Sequence, residues 1–351
     1  MSLIIPAAGL STRFPNKPKW LLTCPNGNLM IQECIKGLNL SNIKNIYLTI
    51  LEKHYINYFN GMDIKELFNF TKKEVNVLIL KNNTKSQSET VYETIKHFNI
   101  IGQIYIKDCD NYFSFLIKNG NYVNYLAINE KNNVEKIYNK SFIEINENNN
   151  EIINICEKKI ISNLICIGGY AFEDSSIFIK SYEECQNIKL ELNELFISHL
   201  ILNCILNKVK FLAHEVLNYI DWGTMNEWIN YIKSFKTLFI DIDGTLFYNC
   251  GKYGEIKWGE NLPIEQNINY LKDLYRENRT QIILTTSRSS EYKDVTIKQL
   301  EKYNIPYNNI IFDLFHCKRY LVNDFADTNP YPSAIAINLQ RDSSNLDLLL
   351  N

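Results

Sequence analysis

Asp241-Ile242-Asp243-Gly244-Thr245 follows the apolar, β-prone run Thr237 to Ile240. With one residue between them, two carboxylates at one strand end can flank a single phosphoryl group. Shortly upstream, Asp221 lies in the apolar-flanked turn Ile220-Asp221-Trp222-Gly223-Thr224, and two more acids, Asp108 and Asp110, end the run IGQIYIKDCDNYF (101–113). Carboxylates at the C-terminal end of a parallel strand lie in the crevice where α/β sheets bind ligands. Opposite charge comes from the beginning of the chain. After the mostly apolar residues 2–9 come Gly9-Leu10-Ser11-Thr12-Arg13-Phe14 and Pro15-Asn16-Lys17-Pro18-Lys19-Trp20. Small residues after a first strand let backbone N–H groups close around phosphate oxygens, and Arg13 with Lys19 would neutralise a triphosphate. Acids and bases together point to phosphate chemistry at two places.

These residues need elements to hold them. Residues 2–9 suit a buried parallel strand, and KNIYLTIL (44–51) and VNVLIL (75–80) suit two more, with helical spacing over 29–40 between them. VYETIKHF is helical, with Ser and Thr upstream to cap its start. Residues 121–160 read as antiparallel arms, YVNYLAINE, VEKIYN, SFIEIN and EIINICEK, joined by Asn-rich turns. LICIGGYAFE (164–173) is a glycine-containing strand of the kind found where backbone approaches a ligand closely. Segment 189–207 has helical spacing, and His199 in it reads as a packed residue. MNEWINYIK is the helix after the Asp221 turn.

The chain has 351 residues with 46% hydrophobic and 22% charged content, which predicts a globular protein of two domains. A net charge of −2 gives no general pull toward nucleic acid or anionic membrane. Nine cysteines without a CxxC pair predict buried, reduced thiols. No basic signal region and no long apolar run is visible, so the expected location is cytoplasmic. The abundant asparagine reads as a compositional habit.

AAGLSTRFPNKPKWLL resembles the opening signature of the sugar-phosphate nucleotidyltransferase superfamily, with Ser11 where a second glycine is commonest. The resemblance implies that Ala8, Gly9, Ser11 and Thr12 bind nucleotide and that Arg13 and Lys19 are catalytic. In that superfamily the loop and helix after the VNVLIL position contact the base, making Gln87, Ser88 and Thr90 further candidates, beside their alternative role in a solvated loop and helix cap. Asp110-Asn111 resembles a Gly-Asp-Asn element whose Asp holds Mg²⁺, with Asp108 as a second candidate. Asp221 resembles the second Mg²⁺ ligand, the Asp of Asp-x-Gly-Thr. Glu157-Lys158 resembles the Glu-Lys element that holds the acceptor's phosphate, although Lys159 stands where proline is frequent. The implied chemistry is attack by a sugar or polyol phosphate on the α-phosphorus of a nucleoside triphosphate, Mg²⁺ neutralising the α-phosphate, with pyrophosphate leaving.

The second carboxylate pair resembles motif I of the haloacid dehalogenase superfamily. That implies Asp241 as nucleophile through an aspartyl phosphate, and Asp243 as general acid and base. QIILTTSR (281–288) resembles motif II, with Thr286 on the phosphoryl oxygens, and Lys318 matches the motif III lysine. Asn323-Asp324, ending a strand YLV, resembles motif IV. Its Asp324 would bind Mg²⁺ with Asp241 and Asp243, and Asp327 is a second option. The spacings from Asp243 to Thr286 and from Thr286 to Lys318 leave no room for a cap domain. The closing segment resembles phosphatases of bacterial surface-polysaccharide synthesis.

The expected fold is α/β: two Rossmann-like three-layer domains, a nucleotidyltransferase domain with antiparallel arms (1–234) and a capless haloacid dehalogenase-like phosphatase domain (235–351). The expected cofactor is one Mg²⁺ in each. The expected partners are a nucleoside triphosphate, CTP first, and a sugar or polyol phosphate, with no nucleic acid and no membrane; a homo-oligomer stays open. Two rival readings are a phosphatase with a regulatory nucleotide-binding N-terminal half, and a phosphatase acting on nucleic-acid ends.

Overall fold

The computed structural model describes residues 1–11, 14, 17–128, 134–186, 194–250, 257–324 and 333–350, with 134–136 described by backbone alone. Two compact units divide between Ile229 and Asn230. In the first, the strands are β1 (Ser2–Pro6), β2 (Leu38–Asn39), β3 (Asn45–Leu51), β4 (Glu74–Leu80), β5 (Ile104–Lys107), β6 (Asn111–Leu116), β7 (Tyr122–Ala127), β8 (Ser141–Asn146), β9 (Glu151–Glu157), β10 (Leu164–Phe172), β11 (Leu212–Glu215) and β12 (Leu217–Asp221). The helices are α1 (Met30–Lys36), α2 (Glu52–Phe59), α3 (Gln87–Phe98), α4 (Ser175–Cys185) and α5 (Ile197–Leu206), with α6 (Met225–Lys233) crossing the division.

The main sheet runs β4-β3-β1-β5-β10-β7-β11-β9-β8. Its first four strands are parallel, and β10 then enters antiparallel between β5 and β7. The sheet is therefore mixed, not an all-parallel Rossmann sheet. β1 is apolar at every inner position, with Leu3, Ile4 and Ile5 fully buried, as a strand covered on both faces requires. α3, α4 and α5 bury Val91 and Ile95, Phe178 and Tyr182, and Ile197, Leu200, Ile201 and Cys204 in one core with β1, β5 and β10. Those helical positions recur at three- and four-residue spacing, which puts them on one face.

The predicted arms differ in detail. β8 and β9 form an antiparallel hairpin at the edge of the main sheet, β7 lies inside that sheet between β10 and β11, and VEKIYN is a 3₁₀ turn, Val134–Asn139. The run 101–113 is not one strand: it breaks at residues 108–110, and β6 leaves to form a small sheet β12-β6-β2. The break has a cause in Lys107. Its side chain is fully buried, and Nζ donates to Asp108 O at 2.7 Å and Asn111 O at 3.0 Å, curling the chain around the ammonium.

In the second unit β13 (Lys236–Asp241), β14 (Thr280–Thr285) and β15 (Asn309–Ile311) form a parallel sheet in that order. α7 (Glu265–Arg276), α8 (Lys293–Lys302) and α9 (Leu346–Leu350) accompany it. Ile240, Leu271, Ile282, Leu284, Leu300 and Leu346 share its core. The expected strand YLV does not form. Residues 320–324 are irregular and exposed, Val322 at 90%, so their β-prone side chains have no neighbouring strand to pack on.

Six of the nine cysteines are buried as predicted, Cys156 and Cys250 are half-buried and Cys317 is exposed; all nine are free thiols. Among the described residues no helix is long and apolar enough to cross a membrane.

Candidate active sites

The first site gathers at the C-terminal end of β5. β12 pairs antiparallel with β6, setting Asp221 opposite Asn111, and Trp222 N donates to Asp110 O at 2.9 Å. That pairing brings Asp221 beside Asp110 across a long stretch of sequence. A Cβ added to Gly223 would lie 3.1 Å from Asp221 Oδ1 and 3.6 Å from Asp110 Oδ2, so both carboxylates line one small space that only glycine leaves open. Two oxygen donors around such a space fit a hard divalent cation.

Each carboxylate meets a lysine. Lys19 Nζ pairs with Asp110 and Lys140 Nζ with Asp221, all four side chains being mostly buried. Burial alone would raise the Asp110 pKa, but Lys19 outweighs it and lowers the carboxyl to about 2. The same pair raises Lys19 against the burial that would lower it. Asp108 moves the other way: burial and the neighbouring Asp110 raise it, against Lys107 and a hydrogen bond from Gln87 Nε2. Its carboxylate faces Gly168, which has φ +83°. The glycines of β10 therefore make room for Asp108, Tyr105 and Asn124, not directly for a ligand.

The other expected residues divide. Ala8 is buried at the end of β1, and Gly9 is exposed with open space at its Cβ position. Ser11 has φ +53°, the left-handed region glycine favours, which explains why glycine suits this place; its Oγ accepts from Lys19 N at 3.2 Å. Thr12 and Arg13 lie outside the described residues, as does Asp327. Gln87 opens α3 and touches Asp108, within the site. Ser88 and Thr90 do not face it: they are 0% and 2% exposed, with Ser88 Oγ bonded to Leu195 O and Thr90 Oγ1 to Thr84 Oγ1 at 2.6 Å, so their hydroxyls serve the helix N-terminus that Ser86 caps. Lys158 is exposed and sets Nζ 4.4 Å from the Phe196 ring centroid. His199 is a capping residue, its Nδ1 accepting from Phe196 N at 3.1 Å. Sequence reasoning missed Lys107 and Lys140. Lys107 had a signal, a lone charge in the apolar strand IYIK; Lys140 had none.

The second site lies at the C-terminal ends of β13 and β14. Asp241 pairs in register with Thr285, and the buried Thr286 follows at once, its Oγ1 accepting from Arg288 N at 3.0 Å. Gly244 has φ +85°, and its N–H closes the turn on Phe247 O at 2.7 Å. Burial raises the Asp241 carboxyl, opposed by Arg319, whose Nη1 donates to Asp241 Oδ1 at 3.0 Å and Thr285 Oγ1 at 3.3 Å. The expected Lys318 is exposed, and its neighbour Arg319 is the cation on Asp241. Asp243 is held by Arg288, the last residue of the run QIILTTSR. Arg288, 0% exposed, donates Nε to Asp243 Oδ2 at 2.8 Å and Nη2 to Oδ1 at 2.7 Å, while Nη1 reaches Thr296 Oγ1 and Gln299 Oε1, each at 3.0 Å.

Asp241, Asp243 and Asp324 do not fit a metal cage in this arrangement. Guanidinium groups engage the first two, and Asp324 sits exposed in the irregular segment, its backbone oxygen accepting from Ser333 Oγ. Among the described residues no group of three or more His, Cys, Asp or Glu side chains converges as a metal site.

No protein-family model and no curated protein matches the sequence. Solved structures do. A nucleoside-diphosphate-sugar pyrophosphorylase from Vibrio cholerae RC9 is 19% identical, with a TM-score of 0.58 over 66% of this chain and 99% of its own. A UDP-glucose pyrophosphorylase in complex with UDP-glucose is 16% identical, with a TM-score of 0.51 over 66% and 97%. A candidate glucose-1-phosphate thymidylyltransferase from Bacillus anthracis is 19% identical, with a TM-score of 0.51 over 66% and 93%. At these identities the shared property is the fold: the N-terminal part of the chain is folded like sugar nucleotidyltransferases.

Proposed function

We propose that the chain is an enzyme that transfers a nucleotidyl group from a nucleoside triphosphate to a sugar or polyol phosphate, releasing pyrophosphate. The observation that carries this reading is the convergence of Asp110 and Asp221 around Gly223, with Lys19 and Lys140 on them, in a fold of this type. Asp110 and Asp221 would hold Mg²⁺, which when bound supplies charge neutralisation at the α-phosphate. Lys19, anchored beside Ser11, faces the triphosphate and offsets its charge. Ala8, Gly9 and Ser11 would form the backbone turn against the phosphates, and among the described residues of α3 Gln87 is the side-chain candidate for the nucleotide. The acceptor's phosphate oxygen forms a bond to the α-phosphorus as the bond to the pyrophosphate oxygen breaks; no residue need be modified on the way. CTP is the first donor to test, because the expected fused phosphatase and the Ser11-containing loop look most like capsule-pathway cytidylyltransferases, and the expected compartment is the cytoplasm.

A second reading concerns the second unit and rests on Asp241, placed at a parallel strand end beside Thr286 and Arg319. This unit is proposed to hydrolyse a phosphomonoester, Asp241 Oδ attacking phosphorus and the alkoxide leaving, followed by hydrolysis of the aspartyl phosphate. Arg319 offsets the charge gathered on the phosphoryl group, and Asp243 is oriented by Arg288. The two activities would then serve one pathway of nucleotide-activated sugar or polyol synthesis. Pyrophosphate release from CTP, UTP and dTTP with a panel of sugar and polyol phosphates tests the first reading, and turnover with none of them refutes it. Phosphate release from sugar phosphates, beside a 3′-phosphorylated oligonucleotide, tests the second.

A further inference from the structure

Two lysines stand where the β8–β9 hairpin opens. Lys158 N donates to Lys140 O at 3.1 Å, so they are backbone neighbours, yet their side chains part. Lys158 has φ +53°, which takes it out of strand alternation and lays Nζ over Phe196 at 4.4 Å. Its neighbour Glu157 accepts from Ser141 and Ser198, which fixes that end of β9. Lys140 turns the other way. Its Nζ pairs with Asp221 and donates to Tyr219 Oη at 3.1 Å, with 24% of its side chain exposed.

Lys19 on Asp110 and Lys140 on Asp221 make a balanced set of two acids and two bases. With a divalent cation held by Asp110 and Asp221, Lys19 and Lys140 would be left as two ammonium groups free to face phosphates. Lys19 is tied through its backbone to Ser11 in the turn after β1, on the triphosphate side. Lys140 comes from the hairpin, and its described partners are Asp221 and Tyr219.

We propose that Lys140, and not Lys158, binds the phosphate of the acceptor. The inference rests on the nucleotidyl-transfer reading of the same site and adds the residue that selects a phosphorylated acceptor. A compact ammonium on a flexible stem suits this exchange from carboxylate to phosphate.

The test is calorimetry on the full chain with Mg²⁺, titrating first a CTP analogue with a methylene bridge between the α- and β-phosphorus, then inorganic phosphate into that complex. Losing a charged hydrogen-bond partner corresponds to about 10- to 100-fold, so Lys140→Ala should weaken phosphate binding by that factor while analogue affinity moves less than about threefold. Lys158→Ala should leave both unchanged, and Lys140→Arg should recover most of the loss. Phosphate should also protect Lys140 of the unaltered protein from amine acylation, read by mass spectrometry, which needs no variant to fold. Loss of phosphate binding in Lys158→Ala, equal weakening of both ligands in Lys140→Ala, or equal acylation with and without phosphate overturns the inference. Failure of the unaltered protein to bind the analogue refutes the nucleotidyl-transfer reading; analogue binding without a phosphate effect at Lys140 refutes this inference alone.

Discussion

Arg288→Met removes a buried guanidinium while keeping most of its volume. The side chain is 0% exposed and spends four hydrogen bonds on Asp243, Thr296 and Gln299. Breaking a buried ion pair by deleting one partner costs roughly 3–5 kcal/mol, because the other charge stays behind without compensation. Asp243 keeps 18% of its side-chain exposure, so water recovers part of that loss and about 3 kcal/mol is expected. Asp243→Asn strands the guanidinium in turn, in a place with less access to water, and should cost at least as much. The double substitution strands neither charge and should cost less than the sum, with a coupling of about 1–3 kcal/mol. Amide exchange at β14 and α8 in the full chain gives the local stability, and urea unfolding gives the global value. A cost below about 1 kcal/mol for Arg288→Met, or a cycle additive within ~0.5 kcal/mol, would refute the reasoning.

Asp110→Asn should abolish pyrophosphate release and spare phosphate release, whereas Asp241→Asn should do the reverse; a folded variant silent in both assays contradicts two separate sites. Gly168→Ala places a Cβ 2.3 Å from Asp108 Oδ2 at φ +83°, so unfolding free energy should fall by at least ~2 kcal/mol, and an unchanged urea midpoint would show that β10 and Asp108 relax freely. His54, His199 and His214 are all held below the usual 6.5 by burial. Below that pH the unfolded chain binds more protons than the folded one, so stability should decline as pH drops from 6.5 and be restored above it. A urea midpoint that stays level or rises from pH 7 to 5.5 contradicts this.

The strands of the first unit were legible because apolar runs bounded by polar turns mark β3 and β4 within a residue and β1 from its first residue, although β1 ends three residues short of the expected Gly9. Asp110 and Asp221 were legible through motifs, and their meeting at Gly223 follows from a pairing of β6 with β12 that no local pattern announces. The break after β5 was missed because its cause, the buried Lys107, acts through backbone oxygens further along the chain. Ser88 and Thr90 share the local sequence of Gln87, and only burial separates their roles. In the second unit the spacing of Asp241 and Asp243 was plain, but the choice of Arg319 over Lys318 depends on which side chain the irregular segment turns toward β13. The asparagines also proved more than habit: Asn60, Asn99, Asn150, Asn218, Asn278 and Asn304 all hold positive φ, as at the left-handed ends of α2 and α3.

The small sheet β12-β6-β2 has a consequence for when activity arises during synthesis. β2 and β6 leave the ribosome well before β12, so Asp110 waits for a partner on the last strand of its unit. Pairing across so long a separation is slow compared with helix formation, because the loop must close before any contact rewards it. A nascent chain that has completed the parallel strands can hold the turn after β1 and still lack Asp221. The proposed nucleotide transfer should therefore switch on late and abruptly, with the closing of one short antiparallel pair.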